Sequence, residues 1–218
     1  MFKRWQNLGE ILPDYLEKFV EDFGKKEEVL LEIEEFAKEN KVPILLPSAA
    51  SFLRFLVSLL RPKRVLEIGT GIGYSTLNIY YAYPEAEIIT VDSNKKRALI
   101  AKEFFKKAGA KVELLEKDAF DVIRDFLSQG KTFDLIFIDS VKAEYPFFNY
   151  KVQALLSDGG VAVFDNVLFR GYVAGREFDK RYRRTVELLK LFLSQVKEYP
   201  AVKNYLFPVG DGLLVVLK

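Results

Sequence analysis

From Arg64 onward the chain alternates between two rhythms of apolar and polar positions. Short runs that are almost wholly apolar fall at 64–68, 87–92, 112–116, 133–138 and 160–164. Stretches with helical spacing separate and follow them, at 74–82, 94–108, 119–129, 145–156 and 181–195. Continuous apolar runs are what strands become when helices cover both faces of a sheet. The alternation therefore predicts an α/β, doubly wound, mostly parallel sheet. The tail breaks the rhythm. Residues 202–207, then Pro208-Val-Gly-Asp-Gly212, then Leu213–Leu217 predict a C-terminal β-hairpin that brings the sheet to seven strands.

Ahead of the alternation, 14–23 and 25–40 read as helices. The second places Val29, Leu30, Ile33 and Phe36 at helical spacing with glutamates on the other face. Pro43 and Pro47 flank an extended segment, and Ser48 is placed to cap a helix over 49–60. This divides the chain into an N-terminal helical extension, 1–47, and a main domain, 48–218.

Composition narrows the chemistry. The 218 residues are 50% hydrophobic, ample for a core, and contain neither cysteine nor histidine. Disulfides, thiolate zinc sites, cysteine nucleophiles and imidazole bases are excluded. A general base must be Lys, Asp, Glu or Tyr, and a metal must be held by oxygens, which favours Mg²⁺, Mn²⁺ or Ca²⁺. The net charge of +2 does not announce a nucleic-acid binder. Met1-Phe-Lys-Arg-Trp-Gln-Asn7 lacks the apolar core of a signal peptide, and no apolar run reaches membrane-spanning length. A cytoplasmic protein with no membrane partner is expected.

Three patches carry candidate chemistry. In Glu67-Ile-Gly-Thr-Gly-Ile-Gly73 an apolar run ends in glycines and then opens a helix. Glycine allows a sharp turn and close approach to a ligand, and the helix start offers free N–H groups. Glu67, Gly69, Thr70 and Gly71 are candidate cofactor contacts there. The turn also suits NAD or a purely structural role. Asp92 ends the next run, where an acid can accept from ribose hydroxyls or cap the helix near Asn94. Asp118, after the third run, suits an adenine contact or a helix cap equally. Asp139, Asp165 and Asn166 stand just past the ends of two neighbouring strands, where open α/β sheets bind ligands. Two carboxylates and an amide oxygen suit a hard cation with positions left for substrate and water. Lys142 follows three residues after Asp139. A cation nearby favours a neutral amine, which can act as a base; a surface lysine is the alternative.

These residues together resemble the cation-dependent class I O-methyltransferases, relatives of the catechol and caffeoyl-CoA enzymes, which use S-adenosylmethionine (SAM). Asp139-x-x-Lys142 and Asp165-Asn166 resemble that family's metal and base motifs, and Phe207-Pro-Val-Gly-Asp-Gly-Leu213 its terminal hairpin. Val42-Pro-Ile, Asp139-Ser-Val-Lys-Ala-Glu-Tyr145 and Asp165-Asn-Val-Leu-Phe-Arg-Gly-Tyr-Val-Ala174 are similar to the bacterial branch that methylates 5-hydroxyuridine at the tRNA wobble position. Many small-molecule members have a second acid where this chain has Val141.

The resemblance implies a Rossmann-like methyltransferase. Leu45, Gly69, Ser75, Asp92, Asp118, Ala119 and Asp139 would line the SAM site, with Ser75 at the methionine carboxylate. Asp139, Asp165 and Asn166 would hold Mg²⁺ or Mn²⁺, with Asp139 and Lys142 catalytic. The expected acceptor is tRNA, with a small catechol or other vicinal phenol as the alternative. A homodimer is expected. The basic stretch 170–190 either tracks phosphates or is a solvated helix face. A non-catalytic SAM- or nucleotide-binding module and a NAD-dependent dehydrogenase are the competing readings. The second lacks an obvious acid for hydride transfer.

Overall fold

The computed structural model describes residues 11–199 and 202–218. Residues 1–7, on which the expectation about a signal peptide rests, lie outside the described residues. The elements are α1 (Asp14–Phe23), α2 (Glu28–Asn40), α3 (Pro47–Leu60), β1 (Arg64–Ile68), α4 (Tyr74–Ala82), β2 (Glu87–Val91), α5 (Lys95–Ala108), β3 (Val112–Leu115), α6 (Ala119–Ser128), β4 (Phe133–Ile138), α7 (Tyr145–Leu155), β5 (Leu156–Phe164), α8 (Arg183–Glu198), β6 (Lys203–Phe207) and β7 (Leu213–Leu217). The seven strands form one sheet in the order β3-β2-β1-β4-β5-β7-β6, with β7 antiparallel to both its neighbours. This is the doubly wound, mostly parallel sheet expected, closed by the terminal hairpin.

Strand side chains alternate between two apolar layers. Val65, Leu135, Phe137, Val161 and Val163 pack with α2, α3, α4 and α5 on one face. Leu66, Ile68, Ile136, Ile138 and Phe164 pack with α6, α7 and α8 on the other. Covering on both faces is why the central strands read as almost wholly apolar runs. Leu30, Ile33 and Ala37 of α2 are buried in the first layer. Strand order reverses between β1 and β4, so their carboxyl ends open the crevice where such sheets take ligands.

Four elements depart from the sequence expectation by more than one residue. α2 starts at Glu28, not at residue 25. β5 starts at Leu156, because Asp158-Gly-Gly160 runs through the strand with a register shift against β4 instead of breaking it. The last long helix is Arg183–Glu198, entered through a short 3₁₀ turn at Lys180–Tyr182. Ser48 does not cap α3. That helix begins at Pro47 with Leu46 at the cap position and no side-chain cap of its own. The Ser48 hydroxyl donates instead to Glu17 of α1 at 2.6 Å.

Candidate active site

The site is built on strand ends. After β1 the chain turns at Gly69 with φ 105°. A Cβ there would lie 2.7 Å from the Asp139 carbonyl carbon and nearer still to its oxygen, so only glycine lets the two turns touch. The Gly69 and Thr70 N–H groups donate to the Val91 carbonyl at 2.9 and 3.2 Å. The Gly71 N–H donates to Asp92 Oδ2 at 2.8 Å, and the Asn94 N–H to Asp92 Oδ1 at 2.8 Å. Asp92 therefore fixes the glycine turn and still has acceptor capacity on both oxygens. The cap of α5 is Asn94, which accepts from the Lys96 and Arg97 N–H groups at 3.1 and 3.2 Å. Asp118 does cap α6, accepting from the Phe120 N–H at 2.8 Å.

Glu67 stands behind the turn, fully buried, and not on the cavity wall. It accepts hydroxyl hydrogens from Ser75 at 2.5 Å, Thr90 at 2.6 Å and Thr76. Burial pushes its carboxyl up to about 7 against the pull of those three donors, and the charge of Asp139 adds to the rise. Ser75 does line the cavity. Its hydroxyl proton is committed to Glu67, so it offers an incoming anion the N–H groups of the α4 start rather than its O–H.

On the other side of the crevice the sheet register aligns the oxygen donors. The Asp139 N–H donates to the Ile68 carbonyl and the Asp165 N–H to the Ile138 carbonyl, both at 2.9 Å. One ladder thus steps from β1 to β4 to β5. Asn166 follows with φ 57°. Lys142 Nζ pairs with Asp139 Oδ1 and sits 5.9 Å from the centre of the Tyr145 ring. Asp165 is 2% exposed, and its Oδ1 has no hydrogen-bond partner. Burial, then the negative charge of Asp139, holds its carboxyl well above the usual range, and Lys142 pulls the other way. A buried, unpartnered carboxylate oxygen beside a second carboxylate and an amide is a donor set that a hard cation would satisfy. Among the described residues no three His, Cys, Asp or Glu cluster as a metal site; Asn166, which lines the same cavity as the two acids, carries an amide instead.

Leu45, Gly69, Thr70, Gly71, Ser75, Asp92, Asp118, Ala119, Asp139, Lys142, Asp165 and Asn166 line a single cavity of about 500 Å³, within the range that holds a cofactor with a small acceptor. Arg170 and Asp211 line it too, and the sequence reading gave neither a place in it. It also missed Tyr145. This fully buried tyrosine lays its hydroxyl 3.0 Å from the Asp165 carbonyl and 3.2 Å from the Ile138 carbonyl, tying together the strand ends that carry both acids. The one available signal was its place at the head of α7, directly after the Lys142 turn.

A sequence model of the O-methyltransferase family matches residues 20–218. The chain belongs to the O-methyltransferase family. Its enzyme class is SAM-dependent O-methyl transfer. This O-methyltransferase is 30% identical over 206 residues to a caffeoyl-CoA O-methyltransferase of Populus trichocarpa, an alignment covering 88% of this chain and 82% of the relative. An O-methyltransferase from Bacillus cereus, solved in complex with SAH, superposes with a TM-score of 0.82 at 25% identity over 94% of this chain and 97% of that one. The SAH-bound Podospora anserina methyltransferase PaMTH1 gives 0.80 at 28% identity over 93% of each chain. No helix among the described residues is long and apolar enough to cross a membrane.

Proposed function

We propose that this O-methyltransferase methylates the 5-hydroxyl of 5-hydroxyuridine at the tRNA wobble position, with a divalent cation assisting. The observation that carries the reading is the unpartnered Asp165 Oδ1 beside Asp139 and Asn166. That donor set fits an acceptor with two adjacent oxygens, and 5-hydroxyuridine offers a 5-hydroxyl next to a 4-carbonyl. A bound Mg²⁺ or Mn²⁺ would supply charge that makes the acceptor hydroxyl more acidic. Asp139, Asp165 and Asn166 would hold the cation. Lys142, at the same wall, would take the hydroxyl proton on Nζ as the neutral amine, the form that the charge of a bound cation favours over an ammonium paired with Asp139. SAM would supply the methyl group. Asp92 would accept from its ribose hydroxyls, the α4 start would receive its carboxylate, and Asp118 and Ala119 would lie against its base. Positioning by rigid strand ends supplies much of the acceleration.

The choice of tRNA rests on the resemblance of the Asp139 and Asp165 segments and on the chain beyond Asn166. There Arg170 lines the cavity and Arg176, Arg181, Arg183 and Arg184 are exposed. A small vicinal phenol is the second reading. It is favoured by the relatives that are caffeoyl-CoA O-methyltransferases. A cytoplasmic homodimer completes the proposal, tested by light scattering of the purified protein.

The deciding experiment is nucleoside mass spectrometry after incubating enzyme, SAM and Mg²⁺ with tRNA that carries 5-hydroxyuridine, beside a parallel catechol assay. Formation of 5-methoxyuridine supports the tRNA reading. Catechol turnover with no tRNA product puts the phenol reading first. Full turnover of either acceptor in excess EDTA overturns the cation.

A further inference from the structure

The inner face of α1 is led by an acid. Glu17 is 1% exposed and is the buried residue of that helix. It accepts from the Ser48 N–H at 2.9 Å and from the Ser48 hydroxyl at 2.6 Å. α3 opens with Leu46 and Pro47, which can offer no side-chain cap, so Glu17 caps it from another helix. The same Ser48 oxygen accepts from the Gly210 N–H at 2.9 Å. Gly210 presses on α3 so closely that a Cβ would lie 2.8 Å from Ala49 Cβ.

The turn that contains Gly210 in turn holds the loop after the oxygen donors. The Val167 N–H donates to the Gly212 carbonyl at 3.0 Å and the Leu168 N–H to the Asp211 carbonyl at 3.1 Å. The Asp211 carboxylate accepts from the Arg170 N–H. Asn166, Phe169 and Arg170 all have positive φ, at 57°, 44° and 60°. Non-glycine residues hold that conformation only where surrounding contacts enforce it. Among the described residues, the backbone N–H groups of Val167, Leu168 and Arg170 all donate to residues 211 and 212.

We propose that Glu17 is a positioning residue for the loop that begins at Asp165 and Asn166, acting through Ser48 and the Gly210–Gly212 turn. Docking of α1 thereby sets the acceptor side of the cavity without touching substrate. The inference rests on the reading of Asp165 and Asn166 as cation ligands for its catalytic consequence, but the ordering of the loop is measured independently of it.

The test is hydrogen exchange on the full chain, without ligands, for wild type, Glu17→Ala and Ser48→Ala. Both variants should speed exchange at the N–H groups of Val167, Leu168, Arg170 and Gly212 by about tenfold or more, the scale of one lost bond to a charged group. β1 and β4 should stay protected. Unchanged protection at 167–170 with changes confined to α1 and α3 overturns the proposal, since that is what a merely structural role predicts. If Glu17→Ala does not fold, Ser48→Ala decides alone, because it removes the bridge and keeps the acid. In a catechol assay the variants should raise the acceptor KM more than they lower kcat, with SAM affinity by calorimetry unchanged; equal KM values in wild type and variants overturn the link to the acceptor. A wild type that turns over no acceptor overturns the functional reading, and the exchange data still decide on Glu17.

Discussion

Asp165 illustrates how a single residue can be badly placed for the empty fold and well placed for the reaction. Its carboxyl is buried, faces the charge of Asp139, and leaves one oxygen unpartnered. An uncompensated buried charge is costly, so the fold tolerates Asp165 rather than depending on it. Asp165→Asn should abolish methyl transfer, yet the cation-free protein should lose no more than about 0.5 kcal/mol of stability, the scale of a neutral substitution. Urea denaturation in EDTA checks the second half; a large loss would mean that the carboxylate is structural. Lys142 makes the complementary case. Lys142→Ala should slow the chemical step about 10²–10⁴-fold, as for a lost general base, with SAM affinity little changed. Raising pH should restore part of the rate, because an acceptor already ionised has no proton to give. Normal single-turnover rates at neutral pH would remove Lys142 from the mechanism. Both residues were legible in the sequence because each stands just beyond the end of an apolar strand. Tyr145 was not: its role is a pair of bonds to backbone carbonyls 7 and 20 residues away, and those carry no sequence signature.

Among the elements, the strands were readable where burial is symmetrical. β1 and β4 have helices on both faces, so apart from Arg64, Glu67 and Asp134 their residues are apolar, and their ends are sharp. β5 was read four residues short because Gly159 and Gly160 look like a turn when the register shift that absorbs them is out of sight. Contacts between distant elements were the least accessible. Nothing near Ser48 in the chain hints that its oxygen serves Gly210, 162 positions later. The glycine turn is the element on which the site most depends. Gly69→Ala would drive a methyl group into the Asp139 backbone at a φ of 105°, and should weaken SAM binding and methyl transfer together, at a stability cost of roughly 1–3 kcal/mol for strained backbone. Calorimetric SAM affinity equal to wild type would show that the two turns can part without consequence. α8 gives the element-scale test of the acceptor. It packs against the Lys142 turn and begins with Arg183 and Arg184. Replacing these two and Arg181 with Ala should lower the salt dependence of tRNA binding by about one log–log unit per lost phosphate contact, while catechol turnover stays near wild type. An unaltered salt slope moves the RNA away from this helix.

The whole molecule carries the site's electrostatic strain as a dependence of stability on pH. Glu67 has a side-chain pKa of 4.5 when solvated and about 7 in the fold, raised by burial. Between those values the folded state binds a proton that the unfolded state has released. The contribution of Glu67 to stability is therefore highest below about 4.5, falls as pH rises toward 7, and is flat beyond. The gap is worth about 3 kcal/mol at 1.36 kcal/mol per pH unit. Asp165, also raised, adds in the same direction. Glu27 and Asp134 are lowered by Arg54 and by backbone and Ser157 donors respectively; they gain stability with pH, but below the usual carboxylate range, so they are already ionised at pH 5. Urea unfolding at pH 5 and pH 8 isolates the raised groups. Wild type should be the less stable at pH 8, and Glu67→Gln should shrink the difference by about 3 kcal/mol, because a carboxamide binds no proton across the window. It should do so with Ser75 still anchored, since the amide oxygen can accept the Ser75 hydroxyl as the carboxylate does. A pH gap of wild-type size in Glu67→Gln would show that the three hydroxyls hold Glu67 ionised inside the sheet. The acid behind the glycine turn would then be a permanent charge under the cofactor site, not a carboxyl that takes up a proton on folding.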